Sequence, residues 1–145
     1  MGAGGLKSCE NWVSQHLLKI NHTKRTINLA IDMMKYIKEV NFGGGHKLKL
    51  KIGIHRGKVI AGVIGFHKPQ FSLIGDTVNI TARHCSTGDP GMVTISEEAF
   101  QEVKNTELNF HPHGPIFMKG KGNRYVYQLL LERKQSLWKT KMEST

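Results

Sequence analysis

The spacing of hydrophobic residues in the first third of the chain predicts two helices followed by a strand. The helices are predicted over residues 8–20 and 23–39. The apolar positions of the second helix fall on one face at helical spacing: Ile27, Ala30, Ile31, Met34 and Ile37. Glycines at 43–45 end this helix. Over 48–54 apolar positions then alternate with Lys or Gly, which is the period of a strand with one buried face.

Two further elements are predicted in the middle of the chain. The apolar run 59–64 follows a turn and predicts the returning strand of a hairpin with 48–54. A helix is predicted over about 76–86, with Asp76 or Thr77 capping the free amide groups of its first turn.

The remaining elements complete an α+β pattern. A strand is predicted at 92–95, then a helix that Ser96 caps, and a last strand at 125–131. This mixed order of helices and strands favours an α+β sandwich in which helices cover one sheet. Residues 132–145 are predicted to form a polar tail.

The composition predicts one compact domain with an excess of positive charge. The chain has 145 residues, of which 39% are hydrophobic and 22% charged, and this excludes wholesale disorder, collagen-like repeats and several independent folds. The net charge of +10 favours polyanionic ligands. Because the basic residues are scattered along the chain, a dedicated nucleic-acid surface is only a remote alternative.

The apolar stretches and the cysteines bear on the cellular compartment. The longest strongly apolar stretch, 59–66, is far shorter than the roughly 20 residues that span a bilayer. The N-terminus lacks the pattern of a secretion signal. Cys9 and Cys85 have neither a disulfide-framework nor a zinc-site spacing, which suits a reducing compartment. A cytoplasmic location is therefore expected.

Several polar residues are candidates for binding a phosphorylated ligand. Asn79 and Arg83 are four residues apart, so both project from one face of the predicted helix. A guanidinium offers a fixed fork of donors to phosphate oxygens, and an amide can hold a sugar oxygen. Lys119 and Lys121 lie in a glycine turn suited to a polyphosphate. A solvated helix face and an ordinary basic hairpin loop are the alternative interpretations. Ser72 is expected near a strand end, where a ligand can bind.

The histidines favour no metal site. His111 and His113 have the HxH spacing of a chelating pair, but no third or fourth ligand is evident. Pro112 and Pro115 fit a rim loop around them. A metal site is therefore not expected here.

Three segments carry a family resemblance: LKIGIHRGKVIAGVIG at 50–65, KPQFSLIGDTVNITAR at 68–83 and KGKG at 119–122. Together they closely resemble the catalytic domain of the class III nucleotidyl cyclases, which are the adenylyl and guanylyl cyclases. The resemblance runs from about residue 4 to residue 130. It implies a ferredoxin-like α+β sandwich truncated at its N-terminus, in which residues 1–131 form part of a catalytic domain.

The resemblance implies a role for each candidate residue. In that family two catalytic domains pair head to tail, and the nucleoside triphosphate lies between them with two divalent ions. Asn79 would orient the ribose, and Arg83 would stabilise charge that develops on the α-phosphate. Lys119, or alternatively Lys121, would neutralise the terminal phosphates.

The resemblance also bears on the choice of base. Adenylyl cyclases that resemble this chain usually have Asp at the position of Ser72, whereas guanylyl cyclases have Cys or another small residue there. Ser72 therefore favours GTP over ATP. Leu73 and Ile74 would form a wall of the base pocket.

Two features depart from the family pattern. The family's two metal-binding aspartates precede the Gly-Gly-Leu that resembles residues 4–6, so ligands for Mg²⁺ or Mn²⁺ are expected upstream of Met1. The isolated chain is therefore expected to be inactive. Arg56 is the second departure, because the family usually has a small polar residue there.

Three classes of function remain open. The first is a guanylate cyclase catalytic region that makes cyclic GMP and pyrophosphate in intracellular signalling, with adenylate cyclase as its variant. The second is a non-catalytic regulatory half of a cyclase dimer, which donates Asn79 and Arg83 to a metal-bearing partner. The third is a basic RNA-binding domain. A membrane-anchored parent protein with this region on the cytosolic side fits the first two.

Overall fold

The computed structural model describes residues 2–5, 21–40 and 43–131. The helix predicted over 8–20 and the tail predicted over 132–145 lie outside the described residues. In chain order the elements are α1 (His22–Glu39), β1 (Ile52–Ile54), β2 (Ile60–Ile64), β3 (Gln70–Ile74), α2 (Asp76–Thr87), β4 (Val93–Ser96), α3 (Glu97–Val103), β5 (Phe110–Met118) and β6 (Gly122–Leu129). None of these helices combines the length and the apolar character that crossing a bilayer requires.

Helix α1 confirms the helix predicted over 23–39. It begins after Asn21, whose side-chain oxygen accepts a hydrogen bond from the backbone N–H of Lys24 at 2.9 Å. The residues that it buries are Ile27, Ala30 and Met34, which are three of the five positions predicted to share one face.

The main sheet has four strands in the order β1-β4-β6-β5. Strand β1 is parallel to β4, and the other neighbours are antiparallel. The core lies between this sheet and helices α1 and α3. Its buried members include Ile27 and Met34 of α1, Ile95 of β4, Val103 of α3 and Leu129 of β6. Mixed strands and helices around one core confirm the predicted α+β class.

Helix α2 covers the opposite face of the sheet. Successive residues of a strand point to opposite faces, and Ile52 and Ile54 of β1 pack toward the core with α1 and α3. Gly53 therefore faces the other way, where the backbone of α2 lies against it. Thr94 of β4 points to the same side and approaches Gly88 at the end of α2.

The hairpin predicted between 48–54 and 59–64 is wrong. Strand β2 pairs with β3 in a separate antiparallel sheet, in which Ile60 lies opposite Ile74 and Ile64 opposite Gln70. The turn of this hairpin includes Gly65, whose φ of 109° favours glycine. Strand β1 instead satisfies its backbone by parallel pairing with β4, which is distant in sequence. The structure therefore has three strands before α2 where the predicted order has two.

The loop predicted around His111 and His113 is also wrong, because both residues lie in β5. Proline is tolerated there since β5 is an edge strand of the sheet and need not donate every ladder hydrogen bond. The register shifts between Pro112 and Gly114, which marks a bulge. By contrast, the predicted cap at Ser96 is confirmed, since its hydroxyl oxygen accepts from the N–H of Ala99 at 3.2 Å.

Candidate functional site

Helix α2 carries Asn79 and Arg83, and close packing on β1 fixes its position. A Cβ atom at Gly53 would meet the backbone of His84 and Cys85, so only glycine permits this approach. His84 is 1% exposed, and its Nδ1 lies 2.8 Å from the carbonyl oxygen of Ile80. Its ring stacks on that of His55 with 5.6 Å between centroids. The buried side of α2 is thus anchored, which leaves the opposite side to present Asn79 and Arg83.

The start of α2 differs from the predicted cap. Gly75 is the N-cap, at a φ of 140°, and no side chain caps the first turn. Asp76 and Thr77 already lie inside the helix, so neither occupies the N-cap position from which a side chain accepts hydrogen bonds from the N–H groups of the first turn. Thr77 instead donates its hydroxyl to the carbonyl oxygen of Lys58 at 2.7 Å, which ties the helix start to the segment before β2.

Helix α2 and the turn between β5 and β6 form a cleft of about 340 Å³, which we call the α2 cleft. Its lining residues are Asp76, Asn79, Ile80, Ala82, Arg83, Met118, Lys119 and Lys121. Four of the seven residues singled out from the sequence therefore share one cleft. The β5–β6 turn and α2 are about 40 residues apart in the chain, and the sheet brings them together. No local sequence pattern could therefore have predicted this contact.

Three polar side chains of the α2 cleft are free to bind a ligand. Asn79, Arg83 and Lys119 are exposed. Within residues 2–5, 21–40 and 43–131, none of these side chains has a hydrogen-bond or ion-pair partner. Lys121 differs, because its Nζ lies 2.5 Å from Oδ2 of Asp76. An amide, a guanidinium and an ammonium that no described residue engages suit an anionic ligand that also offers hydrogen-bond acceptors.

The residues predicted to choose the base lie elsewhere. Ser72, Leu73 and Ile74 belong to β3, and none of them lines the α2 cleft. Ser72 is half-buried and lies opposite Gly62 of β2. Leu73 lines a second cleft, of about 320 Å³. Thr77, Val78 and Thr81, on the other side of α2, line this second cleft as well.

A polar cluster supports the far side of α2, and it is buried at His55 and Ser96 but exposed at Glu98 and Arg124. His55 Nδ1 lies 2.9 Å from the hydroxyl oxygen of Ser96 and 3.6 Å from Oε2 of Glu98, which in turn pairs with Arg124. Burial lowers the pKa of both His55 and His84. Partial burial acts to raise the pKa of Glu98, but hydrogen bonds from its own backbone and Ser96, together with His55 and Arg124, lower it. Sequence reasoning missed this cluster, because its members have no characteristic spacing.

The described residues do not fit a divalent metal centre. No group of three or more His, Cys, Asp or Glu side chains is gathered within them. His113 lies 4.0 Å from Asp89, and Asp76 in the α2 cleft is engaged with Lys121. Mg²⁺ and Mn²⁺ prefer carboxylate oxygens, so a metal bound beside the α2 cleft requires ligands from outside the described residues.

Comparison with known proteins identifies the domain. The adenylate and guanylate cyclase catalytic domain family matches residues 9–131. Human guanylate cyclase soluble subunit beta-2 is 40% identical over 111 residues, which are 76% of this chain and 18% of that protein. The guanylate cyclase domain of RhGC from Catenaria anguillulae, solved in complex with GTP, is 32% identical with a TM-score of 0.71. The match covers 79% of this chain and 62% of that one.

A further solved structure is a non-canonical dimeric guanylyl cyclase domain of the RhoGC fusion protein from the aquatic fungus Blastocladiella emersonii. It is 30% identical with a TM-score of 0.66, over 75% of this chain and 58% of that one. The chain thus spans less than two thirds of the relatives that it matches, and under a fifth of the human subunit. Sequence and fold agree over the same residues, and the resemblance noted from the sequence is confirmed. The chain belongs to the adenylate and guanylate cyclase catalytic domain family.

Proposed function

We propose that the α2 cleft binds the ribose and phosphates of GTP, and that its side chains take part in the guanylate cyclase reaction. The observation that carries this proposal is that three donors on one cleft, Asn79, Arg83 and Lys119, have no partner among the described residues. The complex of the Catenaria domain with GTP supports the choice of ligand.

Each donor has a role that follows from its chemistry. In the reaction the ribose 3′ oxygen attacks the α-phosphorus, and the bond from that phosphorus to the bridging oxygen of the β-phosphate breaks. The 3′ hydroxyl gives its proton to solvent, and pyrophosphate leaves. Asn79 orients the ribose, and Arg83 stabilises charge on the α-phosphate with its fork of donors. Lys119 neutralises the terminal phosphates, and Lys121 reaches them as well once it leaves Asp76.

The choice of guanine rests on β3. Ser72 has a hydroxyl that can donate to guanine O6, whereas a carboxylate at this position would accept from the adenine amino group. Leu73 and Ile74 flank Ser72 and supply apolar surface for a base. We assign these three residues to the base, at a site separate from the α2 cleft within this chain.

A second cyclase domain completes the site, packed head to tail against this one. Asn79, Arg83 and Lys119 are exposed, so in the chain alone bulk water would screen their interactions with a phosphate. A covering domain would exclude that water. The β2–β3 hairpin supports the pairing, since Ile60 is 72% and Val63 67% exposed. The non-canonical dimer of the Blastocladiella domain supports association between cyclase domains, while the head-to-tail arrangement rests on the family resemblance alone.

The same features support a pairing half as a second candidate function. The described residues offer donors for the nucleotide but no carboxylate cluster for Mg²⁺ or Mn²⁺. In this version the chain donates Asn79 and Arg83 across the interface, and the partner supplies the metal ligands. Both versions assign the domain to residues 1–131, with 132–145 as a tail. Both also place it in the cytoplasm, where nucleoside triphosphates are abundant and Cys85 stays a free thiol.

The test is cyclisation after mixing. The 145-residue chain is combined with a cyclase domain that bears both metal aspartates but has lost its own arginine in the matching motif. With GTP and Mg²⁺ or Mn²⁺, we expect cyclic GMP only from the mixture. Arg83→Ala in this chain should abolish the product, whereas Arg25→Ala, an exposed position on α1, should not.

Three results would count against the proposal. Activity that is indifferent to Arg83→Ala would remove the α2 cleft from the reaction. Silence from a mixture shown to be paired by sedimentation would do the same. In a parallel assay with ATP in place of GTP, cyclic AMP formed faster than cyclic GMP is formed from GTP would show that Ser72 does not select guanine.

A further inference from the structure

Asp76 is the one acidic residue among those that line the α2 cleft in the described part of the chain. It lies one helical turn before Asn79, and so shares the face of α2 that presents Asn79 and Arg83. A carboxylate there opposes the binding of any phosphate. Its presence in a cleft whose other polar side chains are cationic or amide groups calls for a physical explanation.

The contact of Asp76 with Lys121 offers that explanation. Lys121 Nζ lies 2.5 Å from Asp76 Oδ2, so the carboxylate offsets the charge of one of the two lysines. Lys121 lies in the turn after β5, where its backbone N–H donates to the carbonyl oxygen of Met118 at 2.9 Å. Gly120 and Gly122 flank it at φ values of 78° and 72°. The turn is thus fixed at the backbone, while the lysine side chain, 41% exposed, is free to exchange partners.

We propose that Asp76 is an internal competitor for Lys121, which holds this lysine while the cleft is empty and yields it to the terminal phosphates of a bound nucleotide. The inference rests on the proposed function only in that the cleft must bind a polyphosphate. Lys119 then acts as the permanent phosphate ligand and Lys121 as a conditional one. Asp76 lowers the affinity for polyphosphates, and thereby also limits how tightly pyrophosphate is retained after the reaction.

A purely structural ion pair between α2 and the β5–β6 turn makes a different prediction. If Asp76 only ties the turn to the helix, its removal loosens Lys121 and weakens phosphate binding or leaves it unchanged. If Asp76 competes, its removal strengthens binding, and the gain depends on Lys121. The sign of the effect and its dependence on the lysine therefore separate the two explanations.

The experiment is a titration of the full 145-residue chain with inorganic tripolyphosphate, which has neither base nor ribose, at low ionic strength. The affinity is measured by amide chemical shifts for the wild type, Asp76→Asn, Lys121→Gln and the double variant. We expect Asp76→Asn to tighten tripolyphosphate binding about fivefold when Lys121 is present, but only about twofold in the Lys121→Gln background. The unperturbed part of each amide spectrum reports that the variant is folded.

Glu97→Gln is the matched control. Glu97 is exposed in the first turn of α3, as Asp76 is in α2, and it does not line the cleft. Its substitution removes the same charge from the chain, so it should change the affinity less than twofold.

Four results would overturn the inference. They are weaker or unchanged binding by Asp76→Asn, an equal gain in both Lys121 backgrounds, an equal gain from Glu97→Gln, and no binding by any folded variant. A parallel titration of Arg83→Ala separates the two claims. Tripolyphosphate binding that needs Arg83 but gains nothing from Asp76→Asn leaves the proposed function standing and removes only the competitor.

Discussion

His84 is the side chain that anchors helix α2, and its burial makes the protein sensitive to acid. The residue is 1% exposed, and within the described residues its Nε2 has no hydrogen-bond partner. The ring of His55 stacks on that of His84, so a positive charge on either imidazole would lie directly beside the second imidazole. The helix that presents Asn79 and Arg83 thus depends on two histidines that stay neutral.

We expect the free energy of unfolding to fall as the pH drops from about 7.5 to 5.5. Burial lowers the pKa of His55 and His84, so the unfolded chain, with histidines near the ordinary pKa of about 6.5, binds protons that the folded chain does not. The stability is present above that value and lost below it, by at most about 1.4 kcal/mol per pH unit for each histidine.

Urea unfolding followed at several pH values measures this dependence. The low pKa of Glu98 acts in the same direction at lower pH, through protonation of a stabilised carboxylate. A variant of exposed His46, such as His46→Gln, should keep the slope. Stability that is flat or rises toward pH 5.5 would show that the two buried imidazoles are not held neutral.

Among the elements, α2 depends most on its contact with β1. The strand is only three residues long, and its middle residue, Gly53, lets the backbone of the helix approach. Lys51 donates its ammonium to the carbonyl oxygen of Ser86 at 3.2 Å, and Cys85 Sγ lies 3.4 Å from the carbonyl oxygen of Lys51. The presentation of Asn79 and Arg83 is therefore a property of the β1–α2 pair.

Gly53→Ala should destabilise the fold by about 2 kcal/mol, because the new methyl group meets the backbone of Cys85 and the helix must shift. The same shift should weaken nucleotide binding to the α2 cleft. Gly62→Ala in β2 is the control, since a methyl group there meets nothing within 4 Å. Thermal unfolding of the two variants compares them, and equal melting temperatures would refute the close approach.

The elements show which parts of the fold the sequence could predict. The hydrophobic spacing around Ile27 predicts α1 to within one residue, since helix periodicity is a local property. The partner of β1 is non-local, because β1 pairs with β4 far along the chain, whereas the short turn after 48–54 favoured pairing with β2. The shared face of Asn79 and Arg83 follows from spacing, whereas the pairing of Asp76 with Lys121 joins residues 45 positions apart and has no local signal.

At the scale of the whole molecule, the charge and the exposed apolar surface point to different partners. The net charge of +10 attracts polyanions in general, but the α2 cleft concentrates free donors in one place. The β2–β3 hairpin exposes apolar residues on both faces, with Ile60 opposite Ile74 and Val63 opposite Phe71. An isolated two-stranded ribbon is only marginally stable, so we expect the proposed second domain to stabilise the hairpin while it encloses the cleft.

A titration of the 145-residue chain with GTP, followed by amide chemical shifts for the wild type and Arg83→Ala, tests directly whether the α2 cleft binds the nucleotide. We expect shifts centred on α2 and the β5–β6 turn, and an affinity about tenfold weaker or more in Arg83→Ala, because charged hydrogen bonds to phosphate are lost. Arg25→Ala should bind as the wild type does. Equal affinity for all three proteins, falling steeply with salt, would instead show a non-specific polyanion surface and contradict the account.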